Sequence, residues 1–268
     1  VCNYKMLCLD IDGTLLNSNH QITKETKEAI RKVAREKKLH VVLVSARMPK
    51  GIVFLQKELG IDGYIICYSG SLILDKDGNI IFNRQIDSKV TDDILRCVNE
   101  FNVSINLYKD NRWIIERRDS WSDIESSIVG FEPEINNFSQ IINVNDNIGP
   151  NKILILGDKD ENLKVYKMLK DKFEDCINIY PSKPTYLEIM NKDACKTEAI
   201  IQLLKLLDIK QSEVIAIGDN YNDVDMITFA AVGIAMGNAP EEVKKISDYV
   251  TATNNENGVA KAVYKYFI

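Results

Sequence analysis

Histidine is nearly missing from this chain: His20 and His40 are the only two among 268 residues. A zinc site built on imidazole is therefore not expected. Cysteine is sparse and scattered. The six, at positions 2, 8, 67, 97, 176 and 195, include no Cys-x-x-Cys pair. That excludes a disulfide framework and points to free, mostly buried thiols in a reducing compartment. A positive charge excess is missing too: 34 Lys+Arg stand against 39 Asp+Glu, a net charge of −5. This speaks against a nucleic-acid partner. It does not exclude a phosphorylated ligand, because one local cation can outweigh a diffuse negative field. No apolar run approaches the ~18 residues of a membrane span; the longest near-apolar stretch, Met226 to Met236, is broken by Thr228. The amino end lacks the long apolar region of a secretory signal. A cytoplasmic location without a membrane partner is the expectation. The chain begins with Val, so its natural start is expected upstream.

What is present is ordinary globular material, 45% hydrophobic and 27% charged, enough for one large domain or two smaller ones. The first ~80 residues alternate strand and helix signals. Met6 to Ile11 predicts a buried strand, Thr23 to Lys38 a helix with Thr23 as its N-cap, and Val41 to Val44 a parallel strand covered on both faces. A helix over Lys50 to Leu59, a strand over Tyr64 to Cys67 and a hairpin turning at Asp77-Gly78 follow. From ~84 to 189 the order becomes mixed. A helix (Lys89 to Phe101) and two strands (Ser104 to Tyr108, Arg112 to Glu116) lead into an irregular polar stretch that continues to Pro150. Then come a strand (Lys152 to Leu156), a helix (Glu161 to Phe173) and two more strands (Asn178 to Tyr180, Tyr186 to Met190). From ~190 the alternation resumes, with a buried strand over Val214 to Ile217. No repeats, low-complexity tracts or Gly/Ser linkers are visible. The expected architecture is an α/β domain with a mostly parallel sheet, residues 1–83 and 190–268, interrupted by an α+β unit over 84–189.

Several constellations carry chemistry. Asp10 and Asp12 end an apolar strand, where Asp is disfavoured. At i and i+2 on extended chain they share a face, and Gly13 permits a tight turn after them. Ligands of open parallel sheets bind at such strand ends. An ordinary Asp-Gly turn, with Asp10 capping a neighbouring amide, fits the same residues, and the pattern does not separate the two. Gly218-Asp219-Asn220-Tyr221-Asn222-Asp223 follows a second apolar strand and gathers hard oxygen donors of the kind Mg²⁺ prefers. Asp223 also suits the start of a helix. Ser45-Ala46-Arg47 offers a hydroxyl and an amide at a strand end, suited to a phosphate oxygen; a solvated turn is the plainer account. Lys196 begins a helix, where a lysine is usually solvated, yet it precedes the strand carrying the acidic loop.

These segments together resemble the haloacid dehalogenase superfamily of aspartate-nucleophile phosphotransferases. The closer resemblance is to its Cof-type sugar-phosphatase branch, whose large α/β cap lies between the second and third motifs. Asp10 to Leu15 match Asp-x-Asp-Gly-Thr-Leu, and Gly218 to Asp223 match Gly-Asp-x-x-Asn-Asp. Ser45 and Lys196 fall at the second and third motifs, and Gly233 to Pro240 and Asn257 to Ala260 also resemble the branch. The sequence departs from the pattern at Ala46, Cys195, Thr197 and Ser69-Gly70, none of which removes a reacting group.

The resemblance implies a three-layer Rossmann-like core with an inserted cap that selects substrate. It implies a Mg²⁺-dependent phosphatase of small phosphorylated metabolites, such as sugar phosphates or phosphorylated cofactors. Asp10 would be the nucleophile and Asp12 the general acid and base. Asp10, Asp12 (through its backbone carbonyl), Asp219 and Asp223 would surround the metal, with Asp223 either near the ion or orienting Lys196. Ser45, the Ala46 amide, Lys196 and Asn222 would hold phosphate oxygens. In the cap, Tyr108, Arg112, Lys183 and Tyr186 are the candidates for reading the substrate. A monomer or weak homo-oligomer is expected. A phosphomutase, or a non-catalytic protein that binds phosphorylated metabolites, are the alternatives on the same scaffold.

Overall fold

A computed structural model describes residues 4–143 and 145–268; Cys2 lies outside the described residues. In chain order the elements are β1 (Met6–Asp10), α1 (Lys24–Glu36), β2 (His40–Val44), α2 (Lys50–Leu59), β3 (Ile65–Cys67), β4 (Leu72–Leu74) and β5 (Ile80–Asn83). Then come α3 (Ser88–Val98), β6 (Ser104–Lys109), β7 (Arg112–Ile115), α4 (Ser120–Val129), β8 (Glu134–Ile135), β9 (Lys152–Leu156), α5 (Lys159–Phe173), β10 (Ile177–Lys183) and β11 (Tyr186–Asn191). The chain closes with α6 (Lys196–Leu207), β12 (Val214–Gly218), α7 (Val224–Phe229), β13 (Val232–Ala235), α8 (Glu241–Lys245), β14 (Tyr249–Val250) and α9 (Gly258–Phe267). They divide into two compact units. One comprises the chain up to Phe82 together with Cys195–Ile268; the other is Asn83–Ala194.

The first unit holds a sheet of order β14-β13-β12-β1-β2-β3-β4-β5. From β14 to β3 the neighbours run parallel, and β3 to β4 is antiparallel. The apolar runs explain the centre of the sheet. Every residue of β1 and β12 is buried, as expected of strands covered on both faces. Helix α1 begins where Thr23 accepts a hydrogen bond from the Thr26 amide. It turns Ala29, Ile30 and Val33 inward, the i, i+3, i+4 stripe of an amphipathic helix. Strand order reverses between β1 and β12, since the chain runs outward through β2 and β3 on one side and through β13 and β14 on the other. In a doubly wound sheet that reversal opens a crevice at the strands' carboxyl ends.

The second unit holds a sheet of order β10-β11-β9-β6-β7-β8, antiparallel throughout except between β7 and β8. One face is apolar: Leu107, Ile114, Ile153, Ile155, Leu187 and Ile189 pack with α3 and α5 residues such as Ile94, Val98, Val165 and Leu169. Alternation puts Asn106, Tyr108, Trp113, Lys152, Tyr186 and Glu188 on the other face, where Tyr108 and Trp113 stack at 6.0 Å.

Helix α4 was not legible in the sequence, where its residues fall in the stretch expected to be irregular. Its buried positions are Ser122, Glu125 and Ser126, while Ile124 and Ile128 are exposed. The apolar periodicity therefore points away from the packed face. What docks the helix is polar. Glu125, 6% exposed, accepts from the Tyr108 hydroxyl at 3.2 Å and from the Tyr186 hydroxyl at 2.9 Å. A reciprocal capping box between Asp119 and Ser122 starts it. The thiol expectation also needs correction. The described cysteines are free, but only Cys8 and Cys67 are buried, Cys97 and Cys195 are half-buried, and Cys176 is exposed. No helix among the described residues is long and apolar enough to cross a membrane.

Removing Glu125 takes the acceptor from the buried Tyr186 hydroxyl and one bond from Tyr108. Glu125→Ala is expected to cost about 1–3 kcal/mol for the Tyr186 hydroxyl. Glu125→Gln, which keeps one acceptor oxygen, should cost less. Urea unfolding of both variants checks this; equal stability of wild type and Glu125→Ala would contradict the docking role.

Candidate active site

The site grows from three adjacent strand ends and one helix start, all in the first unit. β1 delivers Asp10 as its last residue, β12 leads into Asp219 to Asp223, and β2 leads into Ser45. Helix α6 begins at Lys196, which is 2% exposed. Its ammonium donates to Asp10 Oδ1 at 2.6 Å and to Asp223 Oδ1 at 2.5 Å. Asp223 is fully buried, and its Oδ2 accepts the amides of Asp219 at 3.0 Å and Asn220 at 3.1 Å. Asp223 therefore ties the lysine to the loop that follows β12.

Two glycines make the close approaches possible. Gly13 has φ +86°, and a Cβ there would sit 2.4 Å from Asp219 Oδ2. The turn after β1 thus packs its bare backbone on that carboxylate. Gly70 has φ +107°, and a Cβ there would lie 2.1 Å from the Cys195 carbonyl oxygen. The β3–β4 connection can therefore press on the start of α6 and fix Lys196. Before Gly70, Tyr68 and Ser69 also hold positive φ, at 50° and 53°, a costly conformation for side-chain-bearing residues. It is secured by their amides, which donate to the Arg47 carbonyl at 3.2 Å and the Ser45 carbonyl at 2.9 Å. The strained turn and the β2 end brace each other.

Electrostatics follow from burial. Burial pushes Asp10 well above the usual carboxylate range, Asp223 adds to this, and Lys196 opposes it. Two carboxylates share one ammonium, so the net direction is upward. Burial alone would lower Lys196, but Asp10 and Asp223 more than reverse that and hold it protonated. Asp219 is raised from 3.8 to about 6, first by burial; the Thr14 hydroxyl bonded to it, at 2.8 Å, opposes the shift. Both directions mean that the protein alone does not fully balance the ionised carboxylates.

Asp10, Asp219 and Asp223 each present a carboxylate oxygen, all within 4.8 Å of one another. That donor set, all hard oxygens, fits Mg²⁺ rather than a thiol- or imidazole-seeking ion. Asp12 stands apart from this group. Its side chain is 51% exposed and forms an ion pair with Arg47. Ser45 is buried, with its Oγ accepting the Arg47 amide at 3.2 Å. Ala46 and Asn222 are half-buried, the latter in the turn Tyr221–Asp223. Of the candidates in the second unit, Tyr108 and Tyr186 meet at Glu125, Lys183 lies over the Tyr186 ring at 4.6 Å, and Arg112 is paired with Glu134.

Three residues near the site had been given no role on sequence grounds. Thr14, Arg47 and Asn238 all lie inside stretches already noted, so only their partners were hidden. Asn238 donates to the Gly13 carbonyl at 2.9 Å and approaches Asp219 Oδ2 at 3.5 Å. Its Oδ1 accepts the Asn254 amide at 2.9 Å. Only the fold could bring it there from 225 residues away.

The model of the haloacid dehalogenase-like hydrolase family matches residues 7–263. A Haemophilus influenzae protein is 35% identical over 268 residues, covering 98% of each chain. The Bacillus subtilis 5-amino-6-(5-phospho-D-ribitylamino)uracil phosphatase is 31% identical over 97% of this chain and 94% of its own. The crystal structure of a haloacid dehalogenase-like hydrolase from Bacteroides thetaiotaomicron superposes with a TM-score of 0.88 at 33% identity, covering 98% of this chain and 100% of that one.

The raised Asp219 carboxyl gives a signed expectation. Its folded value lies above its unfolded one, so its contribution to stability is present at low pH and lost as pH rises through about 6. In protein stripped of divalent cations, Asp219→Asn should therefore raise Tm at about pH 8 and do so much less at about pH 4. Mg²⁺ should raise the wild-type Tm at the higher pH and leave the variant nearly unmoved. Thermal melts with EDTA and with Mg²⁺ check this; a pH-independent difference would contradict it.

Proposed function

This chain belongs to the haloacid dehalogenase-like hydrolase family and is a phosphatase of small phosphorylated substrates; we propose that it hydrolyses their phosphomonoesters through an aspartyl phosphate on Asp10, with Mg²⁺ as cofactor. The observation that carries this reading is the buried Asp10–Lys196–Asp223 set beside Asp219 at the strand-order reversal. Asp10, Asp219 and the Asp12 backbone carbonyl would hold the ion, with Asp223 closing the acidic group. When bound, the ion neutralises charge on the phosphoryl group and on the carboxylates, so that anion can meet anion.

Lys196 holds Asp10 Oδ1, which leaves Oδ2 as the attacking atom. A bond forms from Oδ2 to phosphorus as the bond from phosphorus to the ester oxygen breaks, and Asp12 gives its proton to the departing alkoxide. Asp12, now a carboxylate, takes a proton from water. That water attacks phosphorus, inorganic phosphate leaves, and Asp10 is restored. Ser45, the Ala46 amide, Lys196 and Asn222 would hold the non-transferring oxygens, since positioning and electrostatics carry most of phosphoryl transfer. The unit Asn83–Ala194 would set substrate choice, with Tyr108, Arg112, Lys183 and Tyr186 as its candidate contacts.

Phosphate release from a panel of small phosphomonoesters, with Mg²⁺ and with EDTA, tests the reading. Release should require the ion, and Asp10→Asn should lower kcat by ~1,000-fold or more. Ion-independent release, or an active Asp10→Asn enzyme, would overturn it. Isomerised phosphorylated product without phosphate release would favour a mutase.

A further inference from the structure

Asparagines from the end of the chain fasten the turn that follows β1. Asn238, in the loop after β13, donates through Nδ2 to the Gly13 carbonyl at 2.9 Å and reaches Asp219 Oδ2 at 3.5 Å. Asn254, in the loop after β14, donates through Nδ2 to the Leu16 carbonyl at 2.9 Å. Asn255 and Ser18 are joined twice: the Ser18 amide donates to Asn255 Oδ1 at 3.0 Å, and Asn255 Nδ2 donates to Ser18 Oγ at 2.9 Å. The two loops can lie against each other because Gly237 has no side chain. Its amide donates to the Ala252 carbonyl at 3.0 Å, and a Cβ there would meet the Thr253 nitrogen at 2.8 Å.

Asn238 is the one whose bonds reach the site. Its Oδ1 accepts the Asn254 amide at 2.9 Å, and this sets the orientation of its amide group. Turned over, the group would put Oδ1 against two other oxygens. Its surroundings thus offer one donor and two acceptors, a set that a side-chain amide satisfies and a carboxylate of the same shape does not. The groups it joins matter. Gly13 follows Asp12, whose backbone carbonyl is a proposed ligand of the ion. The Gly13 backbone also lies on the Asp219 carboxylate, where a Cβ would sit 2.4 Å from Oδ2. On the other side, the Thr14 hydroxyl donates to Asp219 Oδ1 at 2.8 Å. Asp219 is therefore met at both oxygens, and Asn238 ties it to the turn that carries Asp12.

We propose that Asn238 is a positioning residue for the divalent ion: it fixes the Asp219 carboxylate against the Asp12–Gly13 turn and thereby favours Mg²⁺ over Ca²⁺. It acts through Asp219 and the turn. The proposal rests on the Mg²⁺ reading given above. Its consequence is selective, because the two ions differ in what they tolerate. Mg²⁺ demands a near-ideal octahedron with ligands at about 2.0–2.1 Å, whereas Ca²⁺ accepts flexible geometry at about 2.3–2.6 Å. Ligands held at a set spacing suit the strict ion, and ligands free to shift admit the tolerant one. Groups that orient metal ligands from behind typically weigh ~10–100-fold in affinity.

Thermal melts of the chelator-stripped full chain, titrated with MgCl₂ or CaCl₂ at constant ionic strength, give both affinities without any turnover. Wild type, Asn238→Ala, Asn238→Asp and Asp219→Asn are compared. Asn238→Ala should weaken Mg²⁺ ~10-fold or more and Ca²⁺ less than ~3-fold. Its ion-free Tm should change little, because the residue is exposed. Asn238→Asp keeps the shape and the acceptor for the Asn254 amide but lacks the donor. Its added charge acts on both divalent ions, so the ratio of Mg²⁺ to Ca²⁺ affinity should fall there too. A ratio unchanged in both variants overturns the proposal, and equal loss of the two ions assigns Asn238 to general structure. If wild type binds Mg²⁺ and Asp219→Asn does not, while the Asn238 variants keep the ratio, only the positioning role fails. If Mg²⁺ does not stabilise wild type, or stabilises Asp219→Asn equally, the metal reading itself fails and the proposal with it.

Discussion

The ammonium of Lys196 is the point on which the site depends. It is 2% exposed and bonds two carboxylates that are themselves buried. Taking three ionised groups out of water is expensive, and their mutual attraction repays this only when geometry is good. Here the geometry draws together the end of β1, the start of α6 and the loop after β12, segments 186 and 27 residues apart along the chain. A well-packed apolar trio would serve stability as well or better. The ionic trio makes sense as chemistry: it keeps one carboxylate oriented at the strand end and a cation beside it.

The rest of the first unit serves that arrangement. Parallel strands buried on both faces bring their carboxyl ends to one side, and the reversal of order between β1 and β12 leaves space there. The net charge of −5 is unpromising for a protein that binds phosphate. Its local expression is what matters. Asp10, Asp219 and Asp223 crowd negative charge into one crevice, and burial lifts Asp219 to about 6. The positive charge that composition could not reveal includes one buried lysine, and the carboxylate oxygens beside it are suited to a hard divalent ion.

Legibility from sequence followed the physics of each segment. The β1 and β12 runs are apolar because both faces are covered, so pattern alone located them and the acidic residues at their ends. Lys196 was visible through its place ahead of β12. The helix α4 was hidden because its packed face carries Ser122, Glu125 and Ser126, while Ile124 and Ile128 face outward. Periodicity assumes that apolar residues mark the buried side, and there they do not. The partners of Arg47, Thr14 and Asn238 were hidden for another reason. Each acts through a contact 35 to 225 residues distant, and no local pattern encodes such a pairing. Tyr108 and Tyr186 are cap candidates in the sequence; that both hydroxyls converge on Glu125 required the fold.

The central claim is that Asp10, oriented by Lys196, becomes covalently phosphorylated. Acid quenching during turnover of a small phosphomonoester, followed by borohydride reduction and peptide mapping, tests it most directly. Borohydride reduces an acyl phosphate to an alcohol, so the account predicts homoserine at the position of Asp10, dependent on substrate and on Mg²⁺. Reduction at another carboxylate, or none during active turnover, would contradict it.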